Sequence, residues 1–276
     1  MTQTHVKNFF LISTVLAISV GCGKEEDTPE IPPTTVKEWT VPLSTKNENP
    51  AVPNRNEGGT ATFQLLSNNS LKYTIAITGL TAGDALTAAH LHVGDVITNG
   101  GIILGLEPTF SGGNATGTIT NVRASLVDSL KNDANQIYFN AHSTQVPAGL
   151  VRGQLNIRLE MAEDVQLRGT NEVPAVVTTA TGVATFRITS DKKLYTKFVV
   201  TGLEPGDALT ASHIHTGAAT VNGPVIVPIY NSAAEFGTVK IITLTDVQYT
   251  TVTTTPVYAN AHSTLRPAGL VRGQIR

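Results

Sequence analysis

The chain contains the same unit twice, with a period of about 120 residues. The agreement is strongest near the end of each copy, where Asn140–Gln154 and Asn260–Gln274 are identical at 13 of 15 positions. A repeat of this length corresponds to a domain rather than to the short unit of a solenoid. We therefore predict two similar domains, residues 37–160 and residues 161–276. Five other matches occur in the same order: Asn47–Val52 with Asn171–Val176, Gly59–Phe63 with Gly182–Phe186, Thr78–Ala88 with Thr201–Ala211, His90–His92 with His213–His215, and Asn99-Gly100 with Asn222-Gly223.

Each copy has the hydrophobic pattern of β-strands. Apolar and polar residues alternate with period two in Thr62–Leu66, Leu71–Ile77 and Leu194–Val200, as expected for half-buried strands. Glycine-rich turns at 79–84 and 202–207 separate such segments. Only 14% of the residues are charged, which argues against a coiled coil or a helical bundle. The pattern predicts an all-β protein with two tandem antiparallel β-sandwich or barrel domains.

One helix is predicted, at Ala124–Lys131, with Leu126, Val127 and Leu130 on one side. The second copy has the threonine-rich stretch Thr250–Thr255 at the corresponding place. Because the two copies differ here, we expect a variable crossover outside the core.

The first 21 residues have the composition of a secretory signal peptide. Lys7 precedes the apolar run Phe9–Val20, which is too short to span a bilayer. The run ends at Gly21-Cys22, and Cys22 is the only cysteine. This arrangement resembles a bacterial lipoprotein signal, in which Cys22 is acylated and becomes the N-terminus, although such signals prefer a larger apolar residue than Ser19. The alternative is a buried or stray cysteine without a lipid.

Residues 22–36 are predicted to be a flexible tether, because they are rich in acidic residues, proline and threonine and have little apolar content. The resemblance to a lipoprotein implies that the lipid on Cys22 binds a membrane. We expect the protein in the outer membrane of a Gram-negative bacterium, on the periplasmic or the surface-exposed side.

Composition excludes several functional classes. A formal net charge of −2 gives no basic surface for nucleic acid. A single cysteine excludes a disulfide framework and a site with several thiolate ligands. The sequence has no Gly-x-Ser-x-Gly motif, phosphate-binding loop or cysteine nucleophile with a partner. We therefore predict no catalytic residues and favour a binding or structural role over an enzyme.

The histidines are the main candidates for a functional site. Six of the seven divide three and three at matching places in the two copies: His90, His92 and His142, and His213, His215 and His262. Residues i and i+2 of a strand point to the same face, so both imidazoles of a His-x-His can reach one ion. If the third histidine lies on a neighbouring strand, the three form a site for copper or zinc.

A structural role for the histidines is the alternative. Each imidazole could be hydrogen-bonded to Asn140 or Asn260, to a backbone carbonyl or to an acidic side chain. Duplication copies structural residues as faithfully as functional ones, so the repeat alone does not decide between the two.

Arg152 and Arg272 follow a Pro-Ala-Gly turn in each copy. We expect a structural network in which each arginine pairs with a carboxylate, because arginine is suited to partly buried pairs of this kind. The alternative is a pair of anion-guiding arginines beside a metal. The expected carboxylate partners are Glu48, Glu172, Asp84 and Asp207.

Together these motifs resemble the CHRD domain, the module named after chordin. The resemblance rests on the Asn-Glu-x-Pro-Ala-Val start, the Gly-x-Ala-x-Phe strand, the His-x-His step and the Pro-Ala-Gly-x-x-Arg-Gly-Gln ending. It covers almost the whole chain after the tether, twice. It implies an immunoglobulin-like β-sandwich or Greek-key barrel related to copper/zinc superoxide dismutase, without a settled biochemical function.

The segment His90–Asp95 is similar to the His-Val-His step of that dismutase. A fourth copper histidine, a bridging histidine, a zinc subsite and a disulfide are missing from the sequence, so we do not expect full dismutase activity. The chain is predicted to be a lipid-anchored, non-catalytic binding or structural module for an unknown extracellular or periplasmic ligand. The alternatives are a copper- or zinc-binding protein, with metal handling or weak redox activity, and an adhesion stalk.

Overall fold

Each copy of the repeat folds into one eight-stranded antiparallel sheet. The computed structural model describes residue 1 and residues 32–276. The predicted signal peptide, its Cys22 and most of the tether therefore lie outside the described residues. The first strand begins at Thr35, two residues before the predicted start of the first domain.

The first domain contains eight strands and one α-helix. Across the sheet the strands follow the order β5-β4-β7-β8-β1-β2-β3-β6. Their bounds are β1 Thr35–Ser44, β2 Gly58–Leu66, β3 Leu71–Thr78, β4 Leu86–Val93, β5 Ile102–Gly105, β6 Asn114–Ile119, α1 Ala124–Lys131, β7 Ile137–Ser143 and β8 Val151–Gln154.

The second domain repeats this arrangement in the order β13-β12-β15-β16-β9-β10-β11-β14. Its elements are β9 Leu159–Arg168, β10 Thr181–Thr189, β11 Lys193–Thr201, β12 Leu209–Thr216, β13 Val225–Tyr230, β14 Lys240–Thr243, α2 Asp246–Thr254, β15 Val257–Ser263 and β16 Val271–Gln274.

The sheet of each domain curls around one apolar core. Phe63 on β2 and Phe139 on β7 are fully buried, with ring centroids 5.7 Å apart, although β8 and β1 separate the two strands in the sheet. Strong curvature is needed to bring them together. Along β3 every second side chain is buried. Because alternate residues of a strand point to opposite faces, the buried apolar side chains all lie on one face of the sheet. The all-β, tandem-domain prediction is confirmed, with one curled sheet in each domain.

The helix predicted at Ala124–Lys131 is confirmed with the same bounds. The expectation that this crossover lies outside the core was wrong, because Leu126, Val127 and Leu130 are buried in the first core. The threonine-rich stretch of the second copy also lies largely in a helix, α2, which buries Val252. No helix in the described part of the chain is long and apolar enough to cross a membrane.

The two domains contact each other through the loop that follows β1. Arg187 on β10 is completely buried and donates hydrogen bonds to the Glu48 carbonyl oxygen, at 2.7 Å, and to the Asp164 carboxylate, at 2.8 Å. The same carboxylate accepts a hydrogen bond from the Ala51 amide at 2.8 Å. A small apolar cluster formed by Val96, Ile97 and Tyr195, with Ile157 and Leu159 packed against it, joins the domains elsewhere. The second domain thereby holds a loop of the first.

Candidate metal centre

The face of the sheet opposite the core carries a polar cluster on three adjacent strands. In the first domain β4 and β7 pair so that His90 lies opposite Asn140 and His92 lies opposite Tyr138. On β8, Arg152 pairs with Asn140. Because alternate residues of a strand point to opposite faces, these polar side chains share one side and Leu91 and Phe139 share the other. The second domain has the same register, with His213 opposite Asn260 and Asn260 opposite Arg272.

The three histidines of each copy converge as predicted. In both clusters, one ligand atom from each of the three imidazoles lies within 4.8 Å of those from the other two. The closest pair is His90 Nδ1 and His142 Nε2, 3.0 Å apart, and the corresponding distance from His213 to His262 is 3.1 Å. Nitrogen atoms at these separations can bind the same ion.

Backbone carbonyl groups set the orientation of two imidazoles in each cluster. His92 Nδ1 lies 3.0 Å from the Gly100 oxygen and His142 Nδ1 lies 2.9 Å from the Pro147 oxygen. A carbonyl oxygen only accepts, so each Nδ1 carries the hydrogen and each Nε2 of a neutral ring carries a lone pair. In the second domain His215 donates to Gly223 and His262 to Pro267, both at 3.0 Å.

The lone pair of His92 is buried and lacks a hydrogen-bond partner among the described residues. The residue is 8% exposed, and no group in the described part of the chain donates a hydrogen bond to its Nε2. An unsatisfied buried polar atom costs about 1–3 kcal/mol, so a fold that keeps one needs another reason for it. Such atoms often indicate a functional site or an ion.

Burial also favours the neutral form of several of these imidazoles. It lowers the pKa of both His90 and His92, and the neighbouring histidines lower the pKa further. In the second domain burial, with His262 and His215 beside it, lowers the pKa of His213 to about 4. Neutral imidazole is the form that binds transition metals.

The expected arginine–carboxylate pairs do not form among the described residues. Arg152 is 1% exposed and donates to Asn99 Oδ1 at 2.9 Å. It also donates to the backbone carbonyl oxygens of Thr98, at 3.0 Å, and of Asp95. The expected partner Asp84 pairs with Arg55 instead. The reason is that the loop after β4 places carbonyl groups closer to the guanidinium than any carboxylate.

Arg272 behaves in the same way, donating to Asn222 Oδ1 and to the oxygens of Ala218 and Val221 at 2.9–3.0 Å. The corresponding carboxylate, Asp207, accepts from Thr264 and the Leu265 amide.

The two arginines therefore hold the loops that orient His92 and His215. The loop bonded to Arg152 ends at Gly100, whose oxygen accepts from His92. The guanidinium also lies 3.4 Å from the centre of the Tyr138 ring, and that ring stacks on His92 at 4.8 Å. Sequence reasoning missed the roles of Asn99 and Tyr138, although the repeated Asn-Gly step was a signal for the loop.

Two buried glutamates lie beside these clusters. Burial raises the pKa of Glu48 to about 7, against the opposing effect of Arg152 and Arg187, and burial likewise raises the pKa of Glu172 to about 7, against Arg272. Gly149 packs against Glu48: a Cβ atom there would lie 2.8 Å from Glu48 Oε1. Its φ of +141° is also one that glycine adopts most readily.

In the first domain the cluster opens into a cleft of about 400 Å³. Its lining includes His92, Asn140 and His142 on one side and the apolar residues Pro50 and Val52 on the other. The loop that carries Pro50 is the one contacted by the second domain. A small molecule in this cleft would be next to two of the three histidines.

A family model described as the CHRD domain matches residues 39–155 and again residues 164–275. The two matches correspond to the two copies of the repeat and together span most of the chain. No curated protein and no solved structure matches the chain. The similarity to copper/zinc superoxide dismutase stays a prediction.

Proposed function

The chain belongs to the CHRD domain family, with two tandem copies of the domain, and on that premise we propose that it is a metal-binding module that holds one copper or zinc ion in each domain. The sites are His90, His92 and His142 in the first domain and His213, His215 and His262 in the second. No catalytic role is part of the proposal.

The observation that supports it best is the orientation of the imidazoles. Carbonyl groups bind the Nδ1 hydrogens of His92 and His142, so both rings present an Nε2 lone pair to the cluster. That of His142 accepts from His90. Metal-binding histidines usually donate their second nitrogen to such a partner, which fixes the ring. The same arrangement occurs in both domains.

The donor set indicates the class of metal. Three imidazoles suit copper and zinc, whereas calcium and magnesium prefer oxygen ligands. His90 at present donates its Nδ1 hydrogen to His142. An ion bound at His90 Nδ1 requires that hydrogen to move to Nε2, a change of tautomer in which the ring stays neutral and no proton is released.

Metal analysis of the mature protein, purified without a histidine tag, tests the proposal. We expect about two copper or zinc ions per chain after loading and dialysis, one in each domain. His92→Ala and His215→Ala should each remove one ion, and the double variant both. Lys72→Ala, an exposed change on β3, is the control and should keep two.

Metal at background level in a folded wild-type protein would contradict the proposal. The histidine variants would then lower only stability, and the imidazoles would be structural. In that case the CHRD domains would bind another ligand, and a screen of envelope glycans and proteins would be the next experiment.

We also propose that a lipid on Cys22 anchors the protein to the outer membrane. The proposal is supported by the order of charged, apolar and small residues before the only cysteine. Mass spectrometry of the mature N-terminus should find an acylated cysteine, and Cys22→Ala should move the protein from the membrane fraction to the soluble fraction. An unmodified Cys22 in membrane-purified protein would contradict the anchor.

A further inference from the structure

An asparagine lies at the centre of each histidine cluster. Asn140 precedes His142 by two positions on β7 and lies opposite His90 on β4. Its side chain therefore shares a face with all three histidines of the first domain. Asn260 has the same relation to His262 and His213 in the second domain.

The asparagine amide oxygen faces the lone pair of a histidine nitrogen, and two acceptors do not form a hydrogen bond with each other. Asn260 Oδ1 lies 3.1 Å from His215 Nε2, but His215 already donates its Nδ1 hydrogen to Gly223. In a neutral ring both facing atoms are then acceptors. In the first domain Asn140 Oδ1 and His92 Nε2 are both buried, and neither has a hydrogen-bond partner within residues 32–276.

The neighbouring glutamate explains why the amide oxygen faces inward. The carboxyl of Glu172 lies beside the side-chain amide of Asn260. An ionised carboxylate only accepts, so in that state Glu172 favours Nδ2 toward itself and Oδ1 toward the histidines. In the first domain a Cβ on Gly149 would lie within 3 Å of both Glu48 Oε1 and Asn140 Nδ2, so the same two groups adjoin there.

We propose that Asn140 and Asn260 complete the two sites as amide-oxygen ligands, giving each ion three nitrogen atoms and one oxygen atom. This inference rests on the proposed metal-binding function. Two ligands of one ion at about 2.1 Å each can be separated by about 3 Å, which agrees with the 3.1 Å between His215 Nε2 and Asn260 Oδ1. Four protein ligands make a closed site, of the kind that holds a metal rather than exposing it to a substrate.

Copper spectroscopy on a single site tests the inference. His215→Ala removes the second site, so that Cu²⁺ in this background reports on the first. Cu²⁺ with four protein ligands keeps only an axial position open, so we expect azide to change the electron paramagnetic resonance and visible spectra of this site little. Asn140→Ala should weaken copper binding about 10- to 100-fold and allow azide, which can enter through the adjoining cleft, to produce a new charge-transfer band.

Asn140→Asp is the matched variant, since it keeps an oxygen at the same place, and it should bind copper without an azide band. Circular dichroism and Trp39 fluorescence check that each variant is folded. If Asn140→Ala does not fold, the response of the unsubstituted site to azide still tests whether a fourth protein ligand is present. An intense azide charge-transfer band at that site, or identical affinity and spectra in a folded Asn140→Ala, would overturn the inference and leave metal binding intact. Failure of the unsubstituted sites to bind metal would overturn the proposed function as well.

Discussion

At the scale of single residues, the buried carboxyl of Glu172 should make the stability of the protein depend on pH. Burial raises the pKa of this carboxyl from 4.5 to about 7 on folding. The folded state therefore binds more protons than the unfolded state between those values. The stabilising contribution is complete below pH 4.5 and is lost as the pH rises through 7, and the loss amounts to about 3 kcal/mol.

Glu172→Gln cannot ionise and should remove this dependence. Urea unfolding of both proteins without metal, at pH 4.5 and pH 8, measures it. We expect the free energy of unfolding of the wild type to fall by about 3 kcal/mol relative to the variant over this range. The other ionisable residues are the same in both proteins, so their contributions cancel in the difference. A constant difference between the two proteins would show that Glu172 keeps an ordinary pKa.

The histidine clusters could be predicted from sequence because strand geometry is regular. His90 and His92 share a face whatever surrounds them, and the repeat identified His142 as the third member. The partners of Arg152 could not be predicted, since they include backbone carbonyls of the loop after β4. Every residue has a backbone carbonyl, so the residue types of the loop do not indicate which carbonyls bind the arginine.

At the scale of secondary-structure elements, the two helices begin differently. The side chain of Thr245 accepts from the Gln248 amide, and the Gln248 side chain accepts from the Thr245 amide, which forms a capping box before α2. Helix α1 follows Arg123, whose side chain makes no capping hydrogen bond.

Thr245→Ala should therefore destabilise the protein by about 1 kcal/mol, because amides of the first helical turn lose their acceptor. Arg123→Ala at the corresponding position of α1 is the control and should change stability by less than half of that. Urea unfolding followed by circular dichroism provides the measurement. Equal effects of the two substitutions would contradict the assigned role of the cap.

The capping box is also the signal that sequence reasoning missed. Threonine favours strands over helices, so the stretch after Gln248 did not resemble a helix, and α2 is stabilised by its cap and by the burial of Val252. The strands were predictable because apolar and polar residues alternate along them in both copies. Their order across the sheet was not, since it depends on contacts between strands far apart in the chain.

At the scale of the whole molecule, Arg187 is the side chain that most directly joins the two domains. It is completely buried between the Asp164 carboxylate and the Glu48 carbonyl. Arg187→Met should destabilise the protein by about 3 kcal/mol, because breaking a buried ion pair leaves its partner uncompensated. The contact should also couple the unfolding of the two domains.

Fluorescence of Trp39, the only tryptophan, reports on the first domain, whereas far-ultraviolet circular dichroism reports on both. We expect the two urea transitions to coincide in the wild type and to separate in Arg187→Met. Lys46→Ala is the control, because its ion pair with Glu163 is largely exposed and contributes little. Coincident transitions in Arg187→Met would show that another contact couples the domains.

The duplicated loops differ in what covers them. Ala51 is half-buried and bonded to Asp164, whereas its counterpart Ala175 is exposed. To open, the loop of the first copy must break its contact with the second domain. The loop of the second copy is exposed at Ala175 and can open without breaking such a contact. If both sites hold metal, we expect a chelator to extract the two ions in two kinetic phases, the slower from the first domain. One duplicated sequence would then provide a fast and a slow reservoir within a single chain.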